Sequence, residues 1–147
     1  SYKDLIFLNK AEEQKVVEAI KSAEKQTSGE IRVHIESKVK KDEDIMACAI
    51  KKFEEIGMHK TKDRNGCLIF IDLINKRFAI IGDKAINEKV ETNFWTDTAK
   101  LLNSFFKERK YADGLCAVIN LIGERLKKYF PYQSNDINEL QDEISYT

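Results

Sequence analysis

The sequence predicts a single-domain, layered α/β sandwich in which helices flank a mixed β-sheet. Segments with helical spacing of apolar residues alternate with strand-like segments. The run CLIFIDL at residues 67–73 is typical of a central strand buried on both faces, and a short turn joins it to another strand. The chain has 147 residues, of which 42% are hydrophobic, enough for one domain with its own core.

The charge balance bears on the class of partner. The chain carries 25 basic and 25 acidic residues, so its formal net charge is zero. A general nucleic-acid binder needs a basic excess to displace counterions, and we therefore expect no nucleic-acid partner. No apolar run approaches the roughly 20 residues of a membrane span, so we expect no direct membrane insertion of this chain.

Three cysteines, Cys48, Cys67 and Cys116, lie in apolar runs and form no CxxC pair. Neither His34 nor His59 has zinc-ligand spacing to any of them. We expect buried, reduced thiols, which are typical of a reducing compartment such as the cytoplasm. Association with a membrane through a partner protein stays open.

A first helix is predicted after Asn9, which can cap it, with Glu12 completing a capping box. The Thr-Ser-Gly triplet at residues 27–29 ends this helix. Its apolar positions have helical spacing: Val16, Val17, Ile20 and Ala23.

Residues 30–36 alternate apolar and polar side chains, which predicts a strand with one buried and one polar face. A second helix is predicted to start at Asp42 or Asp44 and to stop at Gly57. Because the central strand follows, this strand–helix–strand unit predicts a right-handed parallel crossover.

The turn at Asn75 and Lys76 leads into a strand at residues 77–81, which predicts an antiparallel hairpin with the central strand. Helical spacing resumes from Asn87, with a break near Thr92. The last helix stops before Pro131.

The predicted domain covers residues 1–131, and residues 132–147 form an acidic C-terminal tail without basic residues. Ser134 could cap a short helix in this tail, with a loose tail as the alternative. That helix would present Ile137, Leu140 and Ile144.

The hairpin places two polar loops at one end of the sheet. The strand at residues 77–81 exits into Gly82 and Asp83, beside the entry to the central strand at residues 63–66. Oxygen donors converge there, and such donors suit Ca²⁺ or Mg²⁺. The candidate metal ligands are Asp63, Asn65, Asp83 and Asn87.

Arg64 in the same loop could bind a phosphate or carboxylate through two hydrogen bonds. We predict Asp83 and Arg64 as catalytic residues, and Arg64, Asn65 and Gly66 as the substrate-binding residues. These residue types are also typical of turns and helix caps, so a purely structural role stays open.

The opposite end of the sheet carries Glu36 and Asp72, with His34 on the same strand as Glu36. A carboxylate pair near a histidine could do acid–base chemistry. No nucleophile is aligned with them by sequence, so we interpret them as a solvated strand face and a turn cap.

The order of these elements resembles the TPM domain family over residues 5–131. The matching stretches are SGEIRVHIE, FEEIGMHKTKDRNGCLIFIDL, RFAIIGDKAIN and FKERKYADGL. Family members often carry Gly-x-Gly-x-Glu after the strand that ends in Ile-Gly-Asp, whereas this chain continues from Asp83 to Asn87 without that pattern.

The resemblance implies an α/β sandwich and two possible kinds of function. Plant members are described as acid phosphatases that bind calcium, and many bacterial members are envelope-associated without an assigned activity. The resemblance carries Asp83 and the Asn65–Gly66 loop over as site positions. It favours a divalent-cation-binding, phosphatase-like domain acting on phosphomonoesters. The alternative is a non-catalytic interaction domain that serves a membrane or envelope protein assembly.

Overall fold

The computed structural model describes residues 7–134 and 144–147, which fold into one α/β unit. Within these residues the helices are α1 Lys10–Glu24, α2 Ile45–Glu55, α3 Lys84–Asn87, α4 Phe94–Lys107 and α5 Tyr111–Tyr129. The strands are β1 Glu30–Glu36, β2 Gly66–Asp72, β3 Arg77–Gly82 and β4 Ser145–Tyr146.

The sheet has the order β3-β2-β1-β4. Strands β1 and β2 are parallel and joined through α2, while β2 and β3 form an antiparallel hairpin. The predicted parallel crossover and hairpin are therefore confirmed. Every residue of β2 is buried, as the apolar run predicted.

Helices pack on both faces of the sheet. One core cluster joins α1, α4 and α5 to the face that carries Val33, Ile69 and Ile80. A smaller cluster joins α2 to the face that carries Leu68, Phe70 and Ala79. The two clusters follow from side-chain alternation along each strand, and this confirms the layered sandwich.

The helix ends follow the local sequence signals in most places. Asn9 and Glu12 form the predicted capping box, with Glu12 N donating to Asn9 Oδ1 at 2.8 Å. Asp44 caps α2, and Gly57 has a φ of 76°, where glycine avoids the strain other residues meet. The prediction for Asn87 was wrong: Asn87 ends α3, which Asp83 caps, and α4 starts only at Phe94.

The C-terminal residues add a strand for which the sequence contains no local signal. Ser145 and Tyr146 pair with β1 in parallel, and Thr147 N donates to Ile35 O at 2.9 Å. The predicted short helix capped by Ser134 and presenting Ile137, Leu140 and Ile144 lies mostly outside the described residues, and the domain boundary at residue 131 stays a prediction.

The predicted polar face of β1 is buried in the structure. His34 and Glu36 lie under the C-terminal residues, and His34 stacks on Phe70 with ring centroids 5.7 Å apart. The interpretation of this end as a solvated strand face was therefore wrong, because local alternation does not show what packs on the polar side.

The three cysteines are free thiols, as expected, but only Cys67 is buried, whereas Cys48 and Cys116 are partly exposed. Burial raises the pKa of the Cys67 thiol far above its ordinary value, so this thiol stays protonated at neutral pH. Within residues 7–134 and 144–147, none of the helices has the length and apolar character required to cross a bilayer.

Candidate functional site

The two loops predicted to meet do so at one end of the sheet. Asp83 N donates to Gly66 O at 2.9 Å, and Ala85 N donates to Arg64 O at 3.2 Å. The backbone of the loop before β2 is thus bonded to the start of α3. We call residues 63–66 together with residues 82–87 the loop cluster.

Arg64 and Asp83 form the charged centre of the loop cluster. Arg64 Nε donates to Asp83 Oδ2 at 2.7 Å, and Arg64 Nη2 donates to Asp83 Oδ1 at 2.9 Å. The Asp83 residue is 6% exposed, whereas the Arg64 side chain is 39% exposed. The bond to Asp83 raises the pKa of Arg64 above its ordinary value, so the guanidinium stays charged.

The backbone of Arg64 has a φ of 51°, in the left-handed region. A non-glycine residue there is uncommon and is held by its surroundings. Both the neighbouring β2 ladder and the Asp83 pair hold it in place. The partly exposed guanidinium therefore has a defined position at the surface of the loop cluster.

The amide side chains of the loop cluster are already bonded within the protein. Asn65 is buried, and its Nδ2 donates to Ser28 Oγ at 3.1 Å. Asn87 Nδ2 donates to Gly82 O at 2.9 Å, and Asn87 Oδ1 accepts from Trp95 Nε1 at 2.8 Å. Each of these two amide groups therefore has a bonding partner within the protein.

Asp63 is exposed and makes no hydrogen bond or ion pair with another described residue. Within residues 7–134 and 144–147, no group of three His, Cys, Asp or Glu side chains is placed to hold a metal ion. Asp63 and Asp83 have the oxygen chemistry of a Ca²⁺ or Mg²⁺ site. However, both carboxylate oxygens of Asp83 are bonded to Arg64. The four predicted ligands are therefore not arranged around a cation, and the metal site stays a prediction.

Gly82 brings β3 into close contact with Trp95. A Cβ at residue 82 would collide with Cζ2 of Trp95 and would lie 3.2 Å from Asn87 Oδ1. We expect Gly82→Ala to lower the free energy of unfolding by about 1–3 kcal/mol, because the indole must move and lose its bond to Asn87. Urea denaturation measures this loss.

A double-mutant cycle provides the control for Gly82→Ala. In a Trp95→Leu background the collision is absent, so the alanine is expected to cost much less there. An equal cost in both backgrounds would contradict the collision as the cause.

The opposite end of the sheet contains a second polar cluster, of which the sequence predicted only the turn cap at Asp72. Asp72 is fully buried and accepts hydrogen bonds from Asn75 N and from Arg77 Nε, at 3.1 and 3.0 Å. Its predicted role as a turn cap is confirmed. Apart from the hairpin register, which places Asp72 opposite Arg77, nothing in the local sequence predicted their ion pair.

His34 and Glu36 are joined through the C-terminal residues. The two ring nitrogens of His34 lie 2.7 Å from Ser145 Oγ and 2.7 Å from Thr147 Oγ1, and Thr147 Oγ1 donates to Glu36 Oε1 at 2.5 Å. Burial and the nearby Lys52 lower the pKa of His34 to about 4. A neutral imidazole at neutral pH fits two hydroxyl partners, one accepting and one donating.

Comparisons with known proteins match nearly the whole chain. The model of the TPM domain matches residues 2–125. The NMR structure of BA42 protein from the psychrophilic bacterium Bizionia argentinensis is 41% identical, with a TM-score of 0.88 and 96% of each chain covered.

A more distant structure shares the fold. The solution NMR structure of the N-terminal domain of a protein from P. gingivalis is 16% identical, with a TM-score of 0.66. The match covers 86% of this chain and 80% of that one. A search of curated protein sequences gave no match.

Proposed function

This chain belongs to the TPM domain family, and from that premise we propose that it is a phosphatase-like domain that binds phosphomonoesters at the loop cluster. The observation that carries the proposal is the half-exposed Arg64 guanidinium, held by two bonds to the buried Asp83 carboxylate. A planar guanidinium can donate two parallel hydrogen bonds to a carboxylate or to a phosphate.

Arg64 is the phosphate-recognising residue in this proposal. Of its five N–H donors, two are used by Asp83, and no other described residue accepts from the remaining three. A phosphoryl group could therefore bind the exposed side of the guanidinium. In this proposal the Asn65–Gly66 segment, which follows Arg64 in the chain and is buried, lines that position.

Asp83 positions Arg64 and is the candidate catalytic carboxylate. It also caps α3 by accepting from Lys84 N at 2.7 Å, so its orientation is set by two independent bonds. No step of the proposal runs through a cation. To bind here, a Ca²⁺ or Mg²⁺ ion would have to replace Arg64 as the partner of the Asp83 carboxylate. Asp63 would be the second carboxylate, since it bonds to no other described residue.

Hydrolysis of p-nitrophenyl phosphate at acid pH tests the proposal. We expect Arg64→Gln to lower the rate by about tenfold or more, since it removes a charged hydrogen-bond donor from the substrate. Asp83→Asn, which leaves a side-chain oxygen to cap α3, should lower the rate as well. Running each assay with Ca²⁺, with Mg²⁺ and with a chelator tests the predicted cation separately.

Arg77→Gln is the matched control, because Arg77 pairs with the buried Asp72 at the other end of the sheet. It should reduce stability without changing the hydrolysis rate of the folded protein. Equal losses of activity in both arginine variants, or full activity in Arg64→Gln, would overturn the proposal.

A second candidate function is a non-catalytic interaction domain that serves a membrane or envelope protein assembly. Two apolar side chains of α2, Met46 and Ile50, favour it, being 43% and 47% exposed on one helix. Loss of a partner in a Met46→Lys, Ile50→Lys variant, with hydrolysis unchanged, would support this candidate over the first.

A further inference from the structure

Strand β3 forms one edge of the sheet, and its outer side carries no strand among the described residues. The opposite edge, at β1, is covered by the chain's own residues Ser145 and Tyr146. The two edges therefore differ: one is paired by an extended segment, and the other is open.

The hydrogen-bond pattern shows which groups of β3 face outward. Asp83 N donates to Gly66 O, and the register pairs Ile81 with Leu68. In an antiparallel pair, directly opposed residues bond on every second position. Residues 77, 79 and 81 thus direct their backbone groups to β2, whereas Phe78 and Ile80 direct theirs away from the sheet.

Phe78 and Ile80 consequently direct two N–H donors and two C=O acceptors to the β3 edge, where Phe78 is partly exposed and Ile80 is 7% exposed. No described residue bonds to these four groups. The edge also lacks the usual protection, because β3 contains no proline or lysine, and its one charged residue, Arg77, is turned to Asp72.

An open groove of about 560 Å³ runs along this edge between α2 and α4. Met46 borders it from α2, and Trp95, Ala99 and Asn103 border it from α4. Lys100 is the only charged residue among the described residues that line it. We call this feature the β3 edge groove.

We propose that the β3 edge groove binds an extended peptide segment of a partner protein as an additional strand beside β3. The unpaired backbone groups of Phe78 and Ile80 require a strand rather than a helix, since only an extended chain matches their spacing. The apolar walls favour apolar side chains at alternate positions of the segment. The single positive charge of Lys100 favours an acidic residue of the segment beside it.

The proposal does not depend on the phosphomonoester site. The groove residues lie outside the loop cluster, except that Trp95 bonds to Asn87. Either proposal can therefore fail while the other stands, and hydrolysis of p-nitrophenyl phosphate by the groove variants distinguishes the two failures.

A capped peptide of sequence Glu-Val-Thr-Val-Thr-Val-Glu is the probe. Trp95 is the only tryptophan of the chain and borders the groove, so its fluorescence reports binding of a peptide without aromatic residues. We expect a saturable change in emission at peptide concentrations up to about 5 mM, with backbone NMR shifts centred on Phe78 and Ile80.

N-methylation tests strand pairing directly. One peptide is methylated at all valine nitrogens and another at all threonine nitrogens, which blocks one edge or the other of the same strand. We expect one of the two to bind like the parent peptide and the other to lose binding. Equal binding by both methylated peptides would overturn the proposal, because side-chain contact alone would then account for it.

Charge reversal tests the chemistry of the segment. We expect Lys100→Glu to lower the affinity for the acidic peptide about two- to fivefold and to raise the affinity for a version with Lys in place of Glu. Lys21→Glu, on α1, which contributes no residue to the groove lining, should change neither affinity. Absence of a saturable change in Trp95 emission, or a concentration-dependent dimer with shifts at Phe78 and Ile80, would overturn the assignment to a partner peptide.

Discussion

Replacing Asp72 with alanine is expected to lower the free energy of unfolding by about 3–5 kcal/mol, the cost of breaking a buried ion pair by removing one partner. The Asp72 side chain is 0% exposed and accepts from Asn75 and Arg77. Without it, the acceptors left to Arg77 among residues 7–134 and 144–147 are the carbonyls of Glu43 and Lys40. The turn of the β2–β3 hairpin also loses its cap.

Urea denaturation of wild type and Asp72→Ala at neutral pH measures this loss. Asp113→Ala is the matched control, because Asp113 makes an exposed ion pair with Lys15 at 2.7 Å. Solvent screens such an exposed pair, so its loss is expected to change stability little. A cost for Asp72→Ala as small as that of the control would contradict the structural role of Asp72.

Lowering the pH from 7 to 5 is expected to remove about 2 kcal/mol of unfolding free energy through His34 alone. Burial, followed by the charge of Lys52, lowers the pKa of His34 from 6.5 to about 4, although Glu36 acts in the opposite direction. Between these values the unfolded chain takes up a proton that the folded protein excludes. The stability is therefore full above pH 6.5 and falls as the pH approaches 4.

The variant His34→Gln separates this effect from other titrating groups. It retains hydrogen-bonding capacity toward Ser145 and Thr147 and cannot be protonated. We expect it to be less stable than wild type at pH 7, with the difference shrinking by about 2 kcal/mol at pH 5. Parallel stability–pH profiles for the two proteins would show that His34 is not the titrating group.

Glu36 affects the stability of the protein at lower pH than His34 does. Although burial alone would raise it, hydrogen bonds from Thr147 and the Lys38 amide hold the pKa of Glu36 below its ordinary value of 4.5. Its stabilising contribution is lost only as the pH falls below that value, so Glu36 contributes little to the change between pH 7 and pH 5.

The position of the loop cluster was predictable because the hairpin is encoded locally. The CLIFIDL run, the turn at Asn75 and Lys76, and the next strand are neighbours in sequence. Once these strands pair, the loop before β2 must meet the loop after β3. The contact between Arg64 and Asp83 follows from that register.

The side-chain bonds inside the loop cluster were not predictable from residue types. Asn65 and Asn87 have the oxygen chemistry of metal ligands, yet their amides bond to Ser28 and to Gly82 and Trp95. Ser28 belongs to the loop after α1 and Trp95 to α4. Only the packing of these distant segments decides which amide groups are bonded.

The sequence by itself determined the layered α/β architecture, the capping box of α1, the parallel crossover and the hairpin, because periodicity, caps and turns act between residues close along the chain. Only the tertiary structure decided that Ser145 and Tyr146 pair with β1 and that His34 is buried beneath them. A two-residue strand has no periodicity to detect, and its pairing joins residues 111 positions apart in sequence. The open edge at β3 was decided in the same way, since whether a strand is central or peripheral depends on every other strand of the sheet.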